Sequence, residues 1–80
     1  MTLEERIKLF AEKIRVLMKE NGLSFTKLSN LSGVPRETIS SWLNRGSNPN
    51  IDALSKIAVY FQCSVDFLIG LEDEFGGKLY

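Results

Sequence analysis

The 80-residue sequence predicts an all-α domain of five helices, and three observations carry that prediction. Apolar residues recur at steps of three and four, the spacing of one helical face. Glycine, proline, serine and asparagine interrupt these runs where helices start and stop. Nowhere do apolar and polar residues alternate over a useful length, and no hairpin dipeptide separates two such runs. Internal repeats and low-complexity segments are also absent from the sequence.

The first helix starts near Leu3, with apolar residues at 3, 7, 10, 14, 17 and 18 forming one stripe. Asn21-Gly22 ends it, because glycine enters the left-handed conformation without a Cβ penalty. Ser24 is placed to cap a short second helix with Leu28 and Leu31 facing inward. Lys27 at the third helical position cannot complete a capping box. This helix stops at Gly33. Val34-Pro35 restarts the chain, since the preset φ of proline suits a first helical turn, and the third helix runs to about Arg45. The segment Gly46-Ser47-Asn48-Pro49-Asn50 is dense turn chemistry. Asn50 or Asp52 then begins a fourth helix with Ile51, Leu54, Ile57, Ala58 and Phe61 at helical spacing. Ser64 caps a fifth, Val65 to Ile69, which Gly70 ends. Residues 71–80 show no clear period, and Gly76-Gly77 argues against a sixth regular helix. The expected organisation is one domain over residues 1–70 followed by a short tail, 71–80.

Eighty residues suffice for a single small core. With 44% hydrophobic and 25% charged residues the chain falls outside the disordered and fibrous classes. No apolar run approaches membrane-spanning length, and Met1-Thr2-Leu3-Glu4-Glu5 lacks the basic start and apolar block of a signal peptide, so a cytoplasmic location is expected. The single cysteine, Cys63, cannot form an internal disulfide and is read as a buried structural thiol.

The formal net charge is zero, but its distribution is lopsided. Residues 6–45 carry eight basic side chains against three acids, a net of +5. Residues 46–80 carry two basic and five acidic ones, a net of −3, and Glu4 and Glu5 supply the rest. A basic segment is therefore joined to an acidic one.

Residues 25–44 meet the requirements of two helices crossing at a tight turn. Ser29 is small where the helices approach and Gly33 supplies the turn. Leu28, Val34, Ile39 and Trp42 are apolar where the second helix of the pair must pack. Trp42 is read as core, on the same side as Ile39. The opposite face carries Arg36, Glu37, Ser40, Ser41 and Asn44.

The series Gly22-Leu23-Ser24, Leu28, Gly33-Val34, Thr38-Ile39-Ser40, Trp42, Asn48-Pro49 and Ser64-Val65-Asp66-Phe67-Leu68-Ile69-Gly70 resembles the phage lambda repressor and Cro (XRE-like) type of helix-turn-helix protein. The resemblance covers roughly residues 6–70 and includes the two helices after the motif, which a chance helical hairpin would not reproduce. It implies a five-helix, lambda-repressor-like DNA-binding domain that binds operator DNA as a homodimer. Carried onto this chain, the third helix would present Arg36, Glu37, Ser40 and Ser41 to base edges in the major groove. Arg36 can donate two bonds to guanine O6 and N7, and Glu37 can accept from a cytosine amino group. Thr26, Lys27, Thr38, Asn44, Arg45, Ser47 and Asn48 would meet phosphates and set the register. Phe25 departs from the glutamine that the family commonly places at the start of the second helix; the phosphate contact is lost there or passes to Thr26. Glu37 departs too, by lowering the local positive potential or pairing with Arg36 or Lys27.

The function expected is sequence-specific transcriptional regulation, as a repressor on a roughly palindromic site, since occupancy alone suffices to block a polymerase. A different reading stays open: a protein-interaction module of the same fold, a partner regulator or antitoxin-like, with weak or no DNA binding. An enzyme is disfavoured by inventory. The chain has no histidine, no base to activate Cys63 and no phosphate-cradling glycine loop. Catalytic residues, metal ligands, cofactors and a small-molecule substrate are accordingly not expected. Phe67, Leu68, Ile69 and Leu71 form an apolar end expected to divide between core and dimer contact.

Overall fold

The computed structural model describes residues 1–73 and 75–79; Glu74 and Tyr80, both in the expected tail, lie outside the described residues. Helix α1 spans Leu3–Glu20, α2 Phe25–Ser32, α3 Arg36–Arg45, α4 Ile51–Phe61 and α5 Val65–Leu68. Each boundary has a chemical cause. Thr2 and Glu5 form a capping box on α1: the Glu5 amide donates to Thr2 Oγ1 at 3.2 Å and the Thr2 amide to Glu5 Oε1 at 3.1 Å. Ser24 accepts from the Lys27 amide and Ser64 from the Phe67 amide, as their positions imply. At α4 the choice between Asn50 and Asp52 falls to Asn50, whose Oδ1 accepts from the Ala53 amide at 2.8 Å. Pro35 stands one place earlier than a first helical residue: with ψ near 140° it is the N-cap of α3.

The core gathers Phe10, Ile14 and Met18 of α1, Leu28 of α2, Val34 of the turn, Ile39, Trp42 and Leu43 of α3, Ile57 of α4 and Leu68 of α5. Three residues of the expected apolar faces do not turn inward: Leu3 is 62% exposed, Leu31 53% and Ile51 83%. Each lies in a terminal turn of its helix, where neighbouring elements cover only part of the circumference. Helical spacing marks a face, and whether another element covers its ends is a tertiary matter.

The tail is more ordered than its lack of period implies. An antiparallel bridge pairs Glu72 with Lys78, and the Leu79 amide donates to Leu71 O at 2.9 Å. Asp73 Oδ1 accepts from the amides of Phe75 and Gly77 and closes the turn between them. Lys78 Nζ lies 2.9 Å from both Asp66 and Glu72, so the turn is clamped onto α5. Among the described residues no sixth helix occurs. Leu68 is core, whereas Phe67, Ile69 and Leu71 are half-buried.

Candidate nucleic-acid interface

Helix α3 is built with two unlike sides. Ile39, Trp42 and Leu43 are buried, and the Trp42 ring meets Phe10 of α1 edge-on. Arg36, Glu37, Asn44 and Arg45 are exposed on the remaining circumference, with Thr38, Ser40 and Ser41 half-buried between. The helix ends at Gly46, whose φ of 66° turns the chain so that the Ser47 amide donates back to Ser41 O at 3.3 Å. The Ser41 and Ser47 hydroxyls are also hydrogen-bonded to each other.

This turn brings most of the expected site residues together. Glu37, Thr38, Ser41, Arg45, Ser47 and Asn48 line one polar concavity of about 330 Å³ between α3 and the loop that follows it. Ser40 stands outside it and accepts from Asn44 Nδ2 at 3.0 Å. Thr26 and Arg36 form a separate pair across the turn between α2 and α3, with Arg36 Nε donating to Thr26 Oγ1 at 3.2 Å. Lys27, next to Thr26 in the first turn of α2, is exposed and does not line the concavity.

Three of the five basic residues of α1 are employed elsewhere. Arg6 donates to Ile69 O and Lys13 to Phe67 O, both at 2.6 Å, and Arg15 donates to Leu43 O. These carbonyls lie at the C-terminal ends of α5 and α3, where backbone dipoles favour a cation. Lys13 also lies 4.1 Å from the centre of the Phe67 ring. Three of the eight basic side chains counted over residues 6–45 therefore fasten helices. The ion pairs among the described residues, Lys56–Asp52 and Lys78 with Asp66 and Glu72, all lie in the C-terminal half. Glu37 pairs with neither Arg36 nor Lys27.

Two features of the region were not apparent in the residue pattern. Arg15 supports the C-terminal end of α3 from 28 residues away, a distance that leaves no local signal. The Phe25 ring carries the Arg36 guanidinium over its face, with Cζ 5.8 Å from the centroid; an aromatic residue at the start of α2 was visible, but its neighbour was not. Cys63 is only partly buried, a correction to the expected buried thiol, although it packs against the core. Burial pushes its thiol pKa up, away from the range of an activated nucleophile. Among the described residues no cluster of three or more histidine, cysteine or acidic side chains could hold a metal ion. Among the described residues no helix is long and apolar enough to cross a membrane.

Five helices with a short pair joined through Gly33, the second presenting a polar face beside a polar loop, define a helix-turn-helix domain. Residues 13–74 match the model of the Cro/C1-type HTH DNA-binding domain, and the chain belongs to that family. It is 33% identical to an HTH-type transcriptional regulator of Rickettsia prowazekii (strain Madrid E), over 86% of this chain and 76% of that protein. It is equally similar to one of Rickettsia conorii (strain ATCC VR-613 / Malish 7), over 86% of this chain and 64% of the relative. The crystal structure of a transcriptional regulator from Listeria innocua superposes with a TM-score of 0.68 at 34% identity, covering 81% of this chain and 61% of that one. The chain thus spans three-fifths to three-quarters of these relatives.

Proposed function

We propose that this chain acts as a transcriptional repressor that binds a palindromic operator as a homodimer, with α3 in the major groove. The observation that carries the reading is the exposed face of α3, continuous with the polar concavity that ends in Ser47 and Asn48. Arg36, Glu37, Ser40 and Ser41 read base edges. Thr26, Lys27, Thr38, Asn44, Arg45, Ser47 and Asn48 take phosphates and hold the register. One recognition helix reads only a few base pairs, so two copies related by a two-fold axis supply a longer site. Repression requires only occupancy of that site.

Selection of bound sequences from random DNA tests binding, symmetry and spacing together. Inverted half-sites about 10 base pairs apart, centre to centre, are expected. Failure to retain any sequence at low salt would overturn the reading.

A zero net charge, with three α1 cations engaged on helix ends, supports a second reading in which the same fold binds a protein partner. Salt separates the two. A DNA complex loses affinity steeply as salt rises, in proportion to the phosphates it neutralises.

A further inference from the structure

Arg36 is the first residue of α3 and Phe25 the first of α2, and the turn between these helices sets the two side chains against each other. The guanidinium lies over the Phe25 ring with Cζ 5.8 Å from the centroid, within the range where a ring face attracts a cation. Its Nε donates to Thr26 Oγ1 at 3.2 Å. The Phe25 side chain is itself half-buried against the core, so the platform is anchored. Arg36 is otherwise exposed, and an unrestrained arginine there would lose much side-chain freedom on docking.

The two contacts also choose which edge of the guanidinium is offered. Arginine has five N–H donors, one on Nε and two on each Nη. A guanine can be read side-on through Nε and one Nη, or end-on through both Nη atoms. With Nε engaged on Thr26, the end-on fork is the one left to reach guanine O6 and N7.

We propose that Phe25 and Thr26 are positioning residues that hold Arg36 end-on for a guanine, so that they determine how strictly one base position is read. The inference rests on the DNA-reading function above. Phe25 thereby acts at the interface without touching a phosphate, which gives a role to the residue that replaces the family's usual glutamine.

The test compares the full chain with Phe25→Leu, Phe25→Tyr and Thr26→Val. Leucine keeps an apolar side chain against the core but removes the ring, tyrosine keeps the ring, and valine keeps the size of threonine without its acceptor. Discrimination at the Arg36 base position is measured by competition with DNA differing only there. The expected result is a loss of discrimination of roughly 2- to 5-fold in Phe25→Leu and in Thr26→Val, the scale of an exposed cation–ring contact or a single hydrogen bond. Phe25→Tyr retains it, and the salt dependence stays unchanged in all three, because none of the substitutions removes a positive charge. A second readout needs no DNA: NMR of the free protein should show the Arg36 side-chain protons shifted by the ring current in wild type and Phe25→Tyr, and unshifted in Phe25→Leu. Unshifted Arg36 protons in wild type, or a folded Phe25→Leu protein with undiminished discrimination, would overturn the proposal. If the wild-type chain binds no sequence preferentially while the ring-current shift is present, it is the DNA-reading function that fails and not the geometry of the pair.

Discussion

Phe10 of α1 and Trp42 of α3 meet edge to face, with ring centroids 5.1 Å apart and planes inclined at 72°. Aromatic pairs favour this arrangement because the positive edge of one ring faces the negative face of the other. Trp42 is 2% exposed and lies on the same side of α3 as Ile39 and Leu43. The contact therefore fixes the rotation of α3 about its own axis, and with it the direction in which Arg36, Ser40 and Asn44 point.

Trp42→Ala should cost about 3–5 kcal/mol, the usual range for emptying a buried aromatic site. In a domain of this size that is a large part of the whole stability. Urea unfolding followed by circular dichroism measures it. A loss below about 1 kcal/mol would mean that α3 is held mainly by other contacts.

Arg36→Ala and Lys27→Ala should differ in kind. The first is expected to relax preference at one base position by about 1–3 kcal/mol and to leave unfolding unchanged, since Arg36 is exposed. The second should weaken binding to all sequences alike and lower the salt slope by about one. Binding titrations on operator and mutated operator at several salt concentrations distinguish them. Unchanged operator preference in Arg36→Ala would remove it as a reading residue.

Gly33 and Gly70 both have φ of +83°, but their surroundings differ. A Cβ at Gly33 meets open space, whereas one at Gly70 collides with the Leu9 side chain of α1. Gly33→Ala should cost about 1–2 kcal/mol from left-handed backbone strain, and Gly70→Ala about 1–3 kcal/mol beyond that from overpacking. Equal melting curves for the two variants would show that Leu9 yields freely.

The tail clamp should depend on pH. Bonds from Ser64 and then Lys78 hold the Glu72 carboxyl below its ordinary value of 4.5. A depressed carboxyl contributes stability above that ordinary value and loses it as pH falls through the folded one. Lys78, bonded to Glu72 and Asp66, is shifted upward from 10.5, so its contribution is complete below that value and lost only in stronger alkali. The clamp accordingly holds between roughly pH 5 and 10. Amide exchange at Gly77 and Leu79 should accelerate on acidification to pH 3 before that of Ile39 does, and Glu72→Gln should produce the same release at neutral pH. Equal protection at pH 3 and 6 would show that the turn closed by Asp73 suffices without the clamp.

Much of this molecule was legible because its signals are local. Ser24, Asn50 and Ser64 cap helices through amides three residues on, and Gly22, Gly33, Gly46 and Gly70 turn the chain with positive φ. The buried side of α3 followed from the spacing of Ile39 and Trp42. The tail did not, because its order comes from Lys78 reaching Asp66 twelve residues away and from the Leu79 amide returning to Leu71 O. The exposure of Leu31 and Ile51 was hidden for a related reason: period reports a face, and coverage depends on which helix lies across it.

The sequence by itself determined the five helices, their order, and the two-sided character of α3, since capping, glycine conformation and apolar spacing act within a few residues of each other. Tertiary structure alone decided how the charge is deployed. Arg6, Lys13 and Arg15 look like a basic face when counted along the chain, yet they close helix ends because Ile69, Phe67 and Leu43 present their carbonyls there. It also decided that Arg36 rests on Phe25 and Thr26. The turn at Gly33 brings the two helix starts together, and hydrogen bonds and ring contacts act only over the few ångströms that remain.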